Sequence, residues 1–504
     1  MADYRYERLT ALDNSFLVFE SANTPMHVAS TAIFEAGPLR TAAGGVDIER
    51  ITAHIAACLH RIPRYRERLA YIPIEAHPVW IDDERFNLNY HIRHTSLPKP
   101  GDERRLKRLA ARVMSQQLDR GKPLWETWIV EGFDGDRMAM ISKTHHCMID
   151  GISGVDLLTV LLSPTPDATP RDPVRWVPRP APSPLALLRA EVVQRVGAPL
   201  GVAARLLRDP ANLVADVRDG LAAVAETLGA GMGLASATPF NQPIGPHRRF
   251  DWIGMELAAL REVRERLGGT LNDVVLATVA GAVRRFLERR AVPLRDLAFR
   301  VFVPVSVRGA SERNTLGNRV AGWLVDLPIA EHRAAARLAK VAATTARLKA
   351  SRQTRGTEIL TGLTEWTGST LLGLAGRLAT QATPFNMVVT NVPGPPPPLY
   401  LLGARMLEAY PMVPLFVNQG LGIALFSNAG KIFWGFNADW DVVPDLHDFV
   451  SDIESAFAEL RLAEPEPEAK SGRRSARRRG NGTDADREPR AQSSEHRRVS
   501  TDSD

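Results

Sequence analysis

The residues best equipped for chemistry stand in one run, His145-His146-Cys147-Met148-Ile149-Asp150-Gly151. A neutral imidazole, with a reference pKa of about 6.5, can take the proton of an alcohol near neutral pH. If that alcohol attacks a thioester, the acyl donor is already activated and the protein needs no nucleophile of its own. It needs a base, together with fixed hydrogen-bond donors for the oxyanion of the tetrahedral intermediate. Gly151 permits a tight turn, and Asp150 just ahead of a helix is favoured by the helix dipole and can cap free N–H groups. The run therefore reads as a histidine base projecting from a shaped backbone.

The flanking sequence supplies that backbone. Met138 to Thr144 reads as a strand running into the histidines, and Gly151 to Leu162 as a helix stopped by Ser163-Pro164-Thr165-Pro166. Val28 to Phe34 reads as a strand, and Ile48 to Leu59 has helical spacing of apolar residues. Further strands are expected at Phe299–Val305, Asn386–Val392, Leu421–Phe426 and Lys431–Phe436. The last two are joined by Ser427-Asn428-Ala429-Gly430 as a hairpin. This is a mixed α/β (α+β) pattern. It divides into an N-terminal domain over 1–163 carrying the histidine run, a proline-rich and helical connection over 164–249, a second α/β domain over 250–463, and a disordered tail over 464–504.

Composition narrows the function. The chain has 504 residues, and 63 Lys and Arg stand against 57 Asp and Glu, a net charge of +6. That surplus is too small for its length to argue for a nucleic-acid partner. Two cysteines, Cys58 and Cys147, make no disulfide framework and fit a reducing compartment. The N-terminus has no apolar core of a signal peptide, and no uncharged apolar run of eighteen residues predicts a membrane span. A cytoplasmic protein is expected, one able to meet the inner membrane face or a lipid droplet peripherally. Residues 185–234 offer apolar stripes interspersed with arginines, read either as core helices or as an interfacial surface on lipid. The arginines between Arg473 and Arg479 offer a second, electrostatic contact.

Two rival chemistries of the run are weaker. His146 and Asp150 stand four apart, as metal ligands sometimes do, but adjacent histidines on a strand face opposite ways and no ligand cluster accompanies them. No metal is expected. A Cys147 nucleophile is disfavoured because its thiol should point away from the imidazole of its neighbour.

The sequence resembles the bacterial wax ester synthase/acyl-CoA:diacylglycerol acyltransferases from about Leu9 to Leu460. The shared blocks are Leu9-Thr10-Ala11-Leu12-Asp13, Thr24-Pro25-Met26-His27-Val28, Pro123-Leu124-Trp125 and the double-histidine run. They continue with Ile244-Gly245-Pro246-His247-Arg248-Arg249, Asn272-Asp273-Val274-Val275, Pro304-Val305-Ser306-Val307-Arg308, Leu316-Gly317-Asn318 and Thr390-Asn391-Val392-Pro393-Gly394-Pro395. The resemblance implies two chloramphenicol-acetyltransferase-like domains with an active-site tunnel between them. It implies long-chain acyl-CoA as co-substrate with no resident cofactor, and diacylglycerol or a fatty alcohol as acceptor. It makes His146 the base and His145 supporting or partly redundant. Asp150 becomes structural, paired to an arginine, with Arg66 the first candidate and Arg308 the second. Asn272 either caps a helix or positions the hydroxyl or the oxyanion. Thr390 and Asn391 either donate to the oxyanion or shape the proline turn that follows them. An acyltransferase of the same fold using another lipid alcohol or a carrier-bound donor, or a non-catalytic lipid binder, is the alternative function.

Overall fold

The structure is a computed structural model that describes residues 6–148, 160–167, 172–190, 235–306, 320–350 and 384–465. Residues 1–465 cluster into one compact unit. Its frame is a pair of six-stranded sheets. The first runs β12 (Tyr400–Leu401), β13 (Ala404–Met412), β2 (His27–Glu35), β7 (Arg137–His145), β6 (Trp125–Phe133) and β5 (Ile92–Ser96). The second runs β10 (Val320–Leu327), β9 (Phe299–Ser306), β11 (Met387–Pro393), β14 (Leu421–Asn428), β15 (Lys431–Asp439) and β8 (Arg248–Glu256). A small third sheet joins β1 (Glu7–Arg8), β4 (Pro78–Asp82) and β3 (Glu67–Tyr71).

Strands β14 and β15 are buried along almost their whole length because both faces are covered. In β14, Leu421, Ile423 and Leu425 belong to the core of the second half, whereas Phe426 joins the core of the first. β14 and β15 form the expected hairpin, with Asn428 opposite Lys431. Between them Ala429 and Gly430 both take positive φ, 46° and 82°, as a two-residue turn matched to strand twist requires. Strand β9 pairs with β11 in parallel only as far as Phe302 opposite Val388. Beyond that point β11 is held by β14 alone among the described residues.

Helices cover the sheets. α1 (Ala11–Phe19) starts at Thr10, whose hydroxyl accepts the Asp13 N–H. α2 (Ile48–Cys58), α3 (Leu88–His91) and α4 (Glu103–Ser115) follow in the first half. The second half carries α5 (Leu257–Leu267), α6 (Leu271–Arg289), α7 (Ala334–Ala350) and α8 (Leu446–Leu462). α6 is buried almost all round, and Gly281 lets α8 approach it, since a Cβ there would lie 2.8 Å from that of Ala456. Among the described residues no helix is long and apolar enough to cross a membrane.

The stretch read as the second domain also contributes to the first sheet. β13 pairs antiparallel with β2, from Met406 opposite Phe34 to Met412 opposite Ala29. Ser163, the expected end of the first domain, exchanges backbone hydrogen bonds of 2.8 and 2.9 Å with Tyr400. The helix expected after the histidines lies largely outside the described residues, as do 191–234, residue 308, residues 316–318 and the tail from 466.

Candidate active site

Strand β7 ends at His145, and a short 3-10 turn, His146–Met148, follows at once. Two backbone bonds fix this junction. The His145 N–H donates to the Leu124 carbonyl at 2.9 Å, and the His146 N–H to the Met26 carbonyl at 2.8 Å. Leu124 belongs to the Pro-Leu-Trp block, and Trp125 beside it is packed as core. Its ring lies between Tyr65 and His91, with centroids 4.5 and 4.6 Å away, and its indole N–H donates to the Tyr65 carbonyl. Two residues before His145, buried Lys143 donates to the Val113 and Gln116 carbonyls at the end of α4 and pairs with Glu126. A cation at a helix C-terminus is favourably placed, so β7 is pinned at the reacting end.

The two histidines occupy different surroundings. His146 is half-buried and stacks on Phe16 of α1, with centroids 3.8 Å apart and planes 17° from parallel. Its Nδ1 is buried and makes no full hydrogen bond among the described residues. Burial, and then the neighbouring His145, lower its pKa to about 4, against a small raising effect of its own backbone. At neutral pH it is an unprotonated imidazole. His145 is fully buried. The Cys147 N–H donates to its Nδ1 at 3.2 Å, so its proton sits on Nε2. The Cys147 sulfur also lies against that Nδ1, at 3.0 Å. Burial pushes the Cys147 thiol up, away from a thiolate.

His145 Nε2 faces Oε1 of Glu20, the C-cap of α1, at 3.4 Å, and His27 Nε2 faces the same oxygen at 3.3 Å. Both contacts are longer or less aligned than ideal hydrogen bonds. His27 and His145 are directly opposed across β2 and β7. Oε1 also accepts the Met26 N–H at 3.3 Å, while Oε2 accepts Arg120 at 2.6 and 3.0 Å. Burial alone would raise the Glu20 carboxyl, but His145 and His27 outweigh it and hold the group far below the carboxylate range. Burial lowers the His27 pKa to about 4, so this ring too is neutral. Glu20, His27 and His145 are close enough to hold a metal ion by distance alone. A guanidinium already on Glu20 opposes a second cation there, and both imidazoles converge on one oxygen. The chemistry of the donor set is that of a shared carboxylate.

The remaining expected residues are placed elsewhere. Asp150 and Gly151 lie outside the described residues, so the expected pair with Arg66 does too. Arg66 itself is buried, donates to the Leu59 carbonyl at 3.3 Å and lies over the Trp176 ring at 4.7 Å. Burial lowers its pKa, with Asp82 and Glu67 acting in the opposite direction. Asn272 does not cap α6. Thr270 is the N-cap, and Asp273 completes the capping box with it. Asn272 is a half-buried residue in the first turn. Thr390 and Asn391 stand within β11, which continues to Pro393, so they precede the proline turn as strand residues. None of these three has a hydrogen bond or ring contact with the double histidine among the described residues.

Sequence reasoning gave no role to Phe16 or Glu20, and quoted His27 only inside a block. The block Ile244–Arg249 also gains a function. Buried Arg248 donates to the carbonyls of Asn23, Gly245 and His247, tying β8 to the loop between α1 and β2.

Comparison with known proteins adds to this geometry. Residues 9–275 match a family model described as the wax ester synthase/diacylglycerol acyltransferase catalytic domain, and residues 316–461 its C-terminal domain. The chain is 33% identical over 471 residues to a putative diacylglycerol O-acyltransferase of Mycobacterium tuberculosis, covering 92% of each. Among solved structures it resembles a wax ester synthase/diacylglycerol acyltransferase from Marinobacter aquaeolei. That likeness has a TM-score of 0.63 and 26% identity, covering 90% of this chain and 99% of that one. The trichothecene 15-O-acetyltransferase of Fusarium sporotrichioides shares the fold, with a TM-score of 0.60 at 11% identity, covering 90% of this chain and 96% of that one.

Proposed function

The chain belongs to the wax ester synthase/diacylglycerol acyltransferase family, and from that premise we propose that it makes triacylglycerol by moving a long-chain acyl group from CoA to diacylglycerol, with His146 as base. Fatty alcohols are the second acceptor class, giving wax esters. The observation that carries the reading is an unprotonated, half-buried imidazole, stacked on Phe16 and fixed by its backbone at a strand end.

With Nδ1 turned into the protein, Nε2 is the nitrogen left to meet the acceptor. It takes the hydroxyl proton as the oxygen attacks the thioester carbonyl. The C–O bond forms, and the carbonyl electron pair moves to oxygen as the oxyanion. Collapse of this intermediate breaks the C–S bond, and the CoA thiolate takes from His146 the proton that came from the hydroxyl, so CoA leaves as the thiol and the base is restored. No acyl-enzyme is formed. A base with so low a pKa is a modest proton acceptor, but it is always free at neutral pH, and a thiolate leaves readily. Asn272, Thr390 and Asn391 are the side chains assigned to the acceptor or the oxyanion. Asp150, with Gly151, is assigned to shaping the turn, with Arg66 its partner.

The acceptor is poorly soluble, so the enzyme meets it at a membrane or lipid-droplet surface, with residues 191–234 and the arginine-bearing tail as the contact to test. Leu187, near the start of the apolar stretch, packs instead with Ile72, Val79 and Ile81. Purified protein given palmitoyl-CoA with competing diacylglycerol and hexadecanol, read by thin-layer chromatography, tests the acceptor. Triacylglycerol as the main product is expected. Wax ester alone would reverse the preference, and release of free fatty acid alone would remove the transferase reading. Flotation with anionic vesicles at low salt tests the surface, and a protein that stays in the soluble fraction would refute it.

A further inference from the structure

Glu20 is a carboxylate at the C-terminal end of α1, where the helix dipole disfavours negative charge. Its side chain is only 3% exposed. Such a placement is costly unless several partners compensate, and four do: Arg120, the Met26 N–H, His27 and His145. Two routes lead from that carboxylate to the base. One passes through the Met26 backbone, whose N–H is taken by Glu20 and whose carbonyl takes the N–H of His146. The other passes through His145. With its Nε2 proton directed at Glu20, its Nδ1 is left as an acceptor for the Cys147 N–H, inside the turn that carries His146. Arg120 anchors the far oxygen and also donates to the Leu17 carbonyl at 2.9 Å, so the carboxylate cannot rotate away.

We propose that Glu20 is a positioning residue for acyl transfer: from one carboxylate it sets the Met26 backbone and the His145 tautomer, and these hold the turn from which His146 works. Glu20 does not touch His146 and takes no proton from substrate. This inference rests on His146 being the base.

The test uses the full chain carrying Glu20→Gln, which matches the shape but loses the charge and sets an amide NH₂ against Arg120. Glu20→Asp is the second variant, with its charge kept and its reach shortened. A displaced base costs up to about 100-fold in rate even when substrates still bind. Expected for Glu20→Gln is a 10- to 100-fold fall in kcat, with KM for palmitoyl-CoA and diacylglycerol within about threefold. Glu20→Asp should fall between it and the unmodified protein. ¹⁵N NMR of histidine-labelled protein should show His145 as the Nε2–H tautomer, and a mixture of tautomers in Glu20→Gln. Unchanged kcat in a folded Glu20→Gln protein, or a loss confined to KM, would overturn the proposal. So would failure of both variants to fold, which would assign Glu20 to stability alone. His146→Ala, measured alongside, separates the two ideas. Full activity in that variant sinks the base assignment, whereas an inactive His146→Ala beside a normal Glu20→Gln sinks only the positioning role.

Discussion

Two buried carboxylates, Glu20 in the first half and Asp273 in the second, sit at opposite kinds of helix end. Asp273 lies in the first turn of α6, where the dipole favours it. Its oxygens accept the Thr270 N–H and hydroxyl at 2.7 and 2.8 Å and the Thr345 hydroxyl at 2.7 Å. Every partner is a neighbour in its own helix start or in α7, so its work is to hold helices together. Glu20 stands where the dipole opposes it, and its partners are an arginine, the Met26 N–H and two imidazoles of the reacting corner. A carboxylate that agrees with its local field stabilises; one held against that field marks a place where geometry matters more than stability.

Removing the base should have the largest effect. His146→Ala should lose at least about 100-fold in kcat, the scale of general base catalysis, with little change in stability. His145→Ala should lose less activity but more stability, because it abandons Glu20 and the Cys147 N–H. If His145→Ala is inactive and His146→Ala nearly normal, the roles are exchanged and the corner works differently from this account.

Asp273→Ala should sharpen the contrast from the other side. Loss of the cap and of the Thr345 partner should cost about 2 kcal/mol in denaturant unfolding, while kcat per folded molecule stays unchanged. A fall in kcat without a fall in stability would place Asp273 with Glu20 and dissolve the distinction.

A smaller effect is expected from pH. The His146 and His27 pKa values are both lowered from 6.5 to about 4. The acid limb of kcat/KM should therefore lie well below 6.5, with activity kept at pH 6 and lost as pH falls through about 4. Stability should decline over the same window, because below 6.5 the unfolded chain takes up protons that the folded rings refuse. His27 alone withdraws up to about 3 kcal/mol by pH 4, and the Glu20 carboxylate adds to the loss as the unfolded carboxyl begins to protonate. An acid limb of kcat/KM near 6.5, which reports the free enzyme, would mean that the His146 imidazole is solvated before substrate binds.

Much of this corner was legible in the sequence, and the reason is local. The strand into the histidines, the hairpin at 427–430 and the amphipathic α2 follow from apolar spacing and turn residues within a few positions of one another. The Thr270–Asp273 capping box was equally local, yet Asn272 drew attention from it because asparagine is a strong cap by type. Glu20 and His27 were not legible as a pair with His145. Their meeting depends on the register of β2 against β7, which opposes His27 to a residue 118 positions later. A histidine within a strand of buried alternate positions was the available signal, and it points to burial before it points to a partner.

The pairing of β13 with β2 bears on how the chain is made. β7 precedes β13 in the chain, so the edge of β2 opposite β7 has no partner until Ala404–Met412 has emerged, roughly 370 residues after β2 is complete. At a synthesis rate of about 5–20 residues per second that is roughly 20 to 75 seconds. Throughout this interval a nascent chain displays an unpaired, mainly apolar strand edge of the kind that recruits other strands. The sheet that carries the catalytic corner is thus completed late, by a segment far from that corner in sequence.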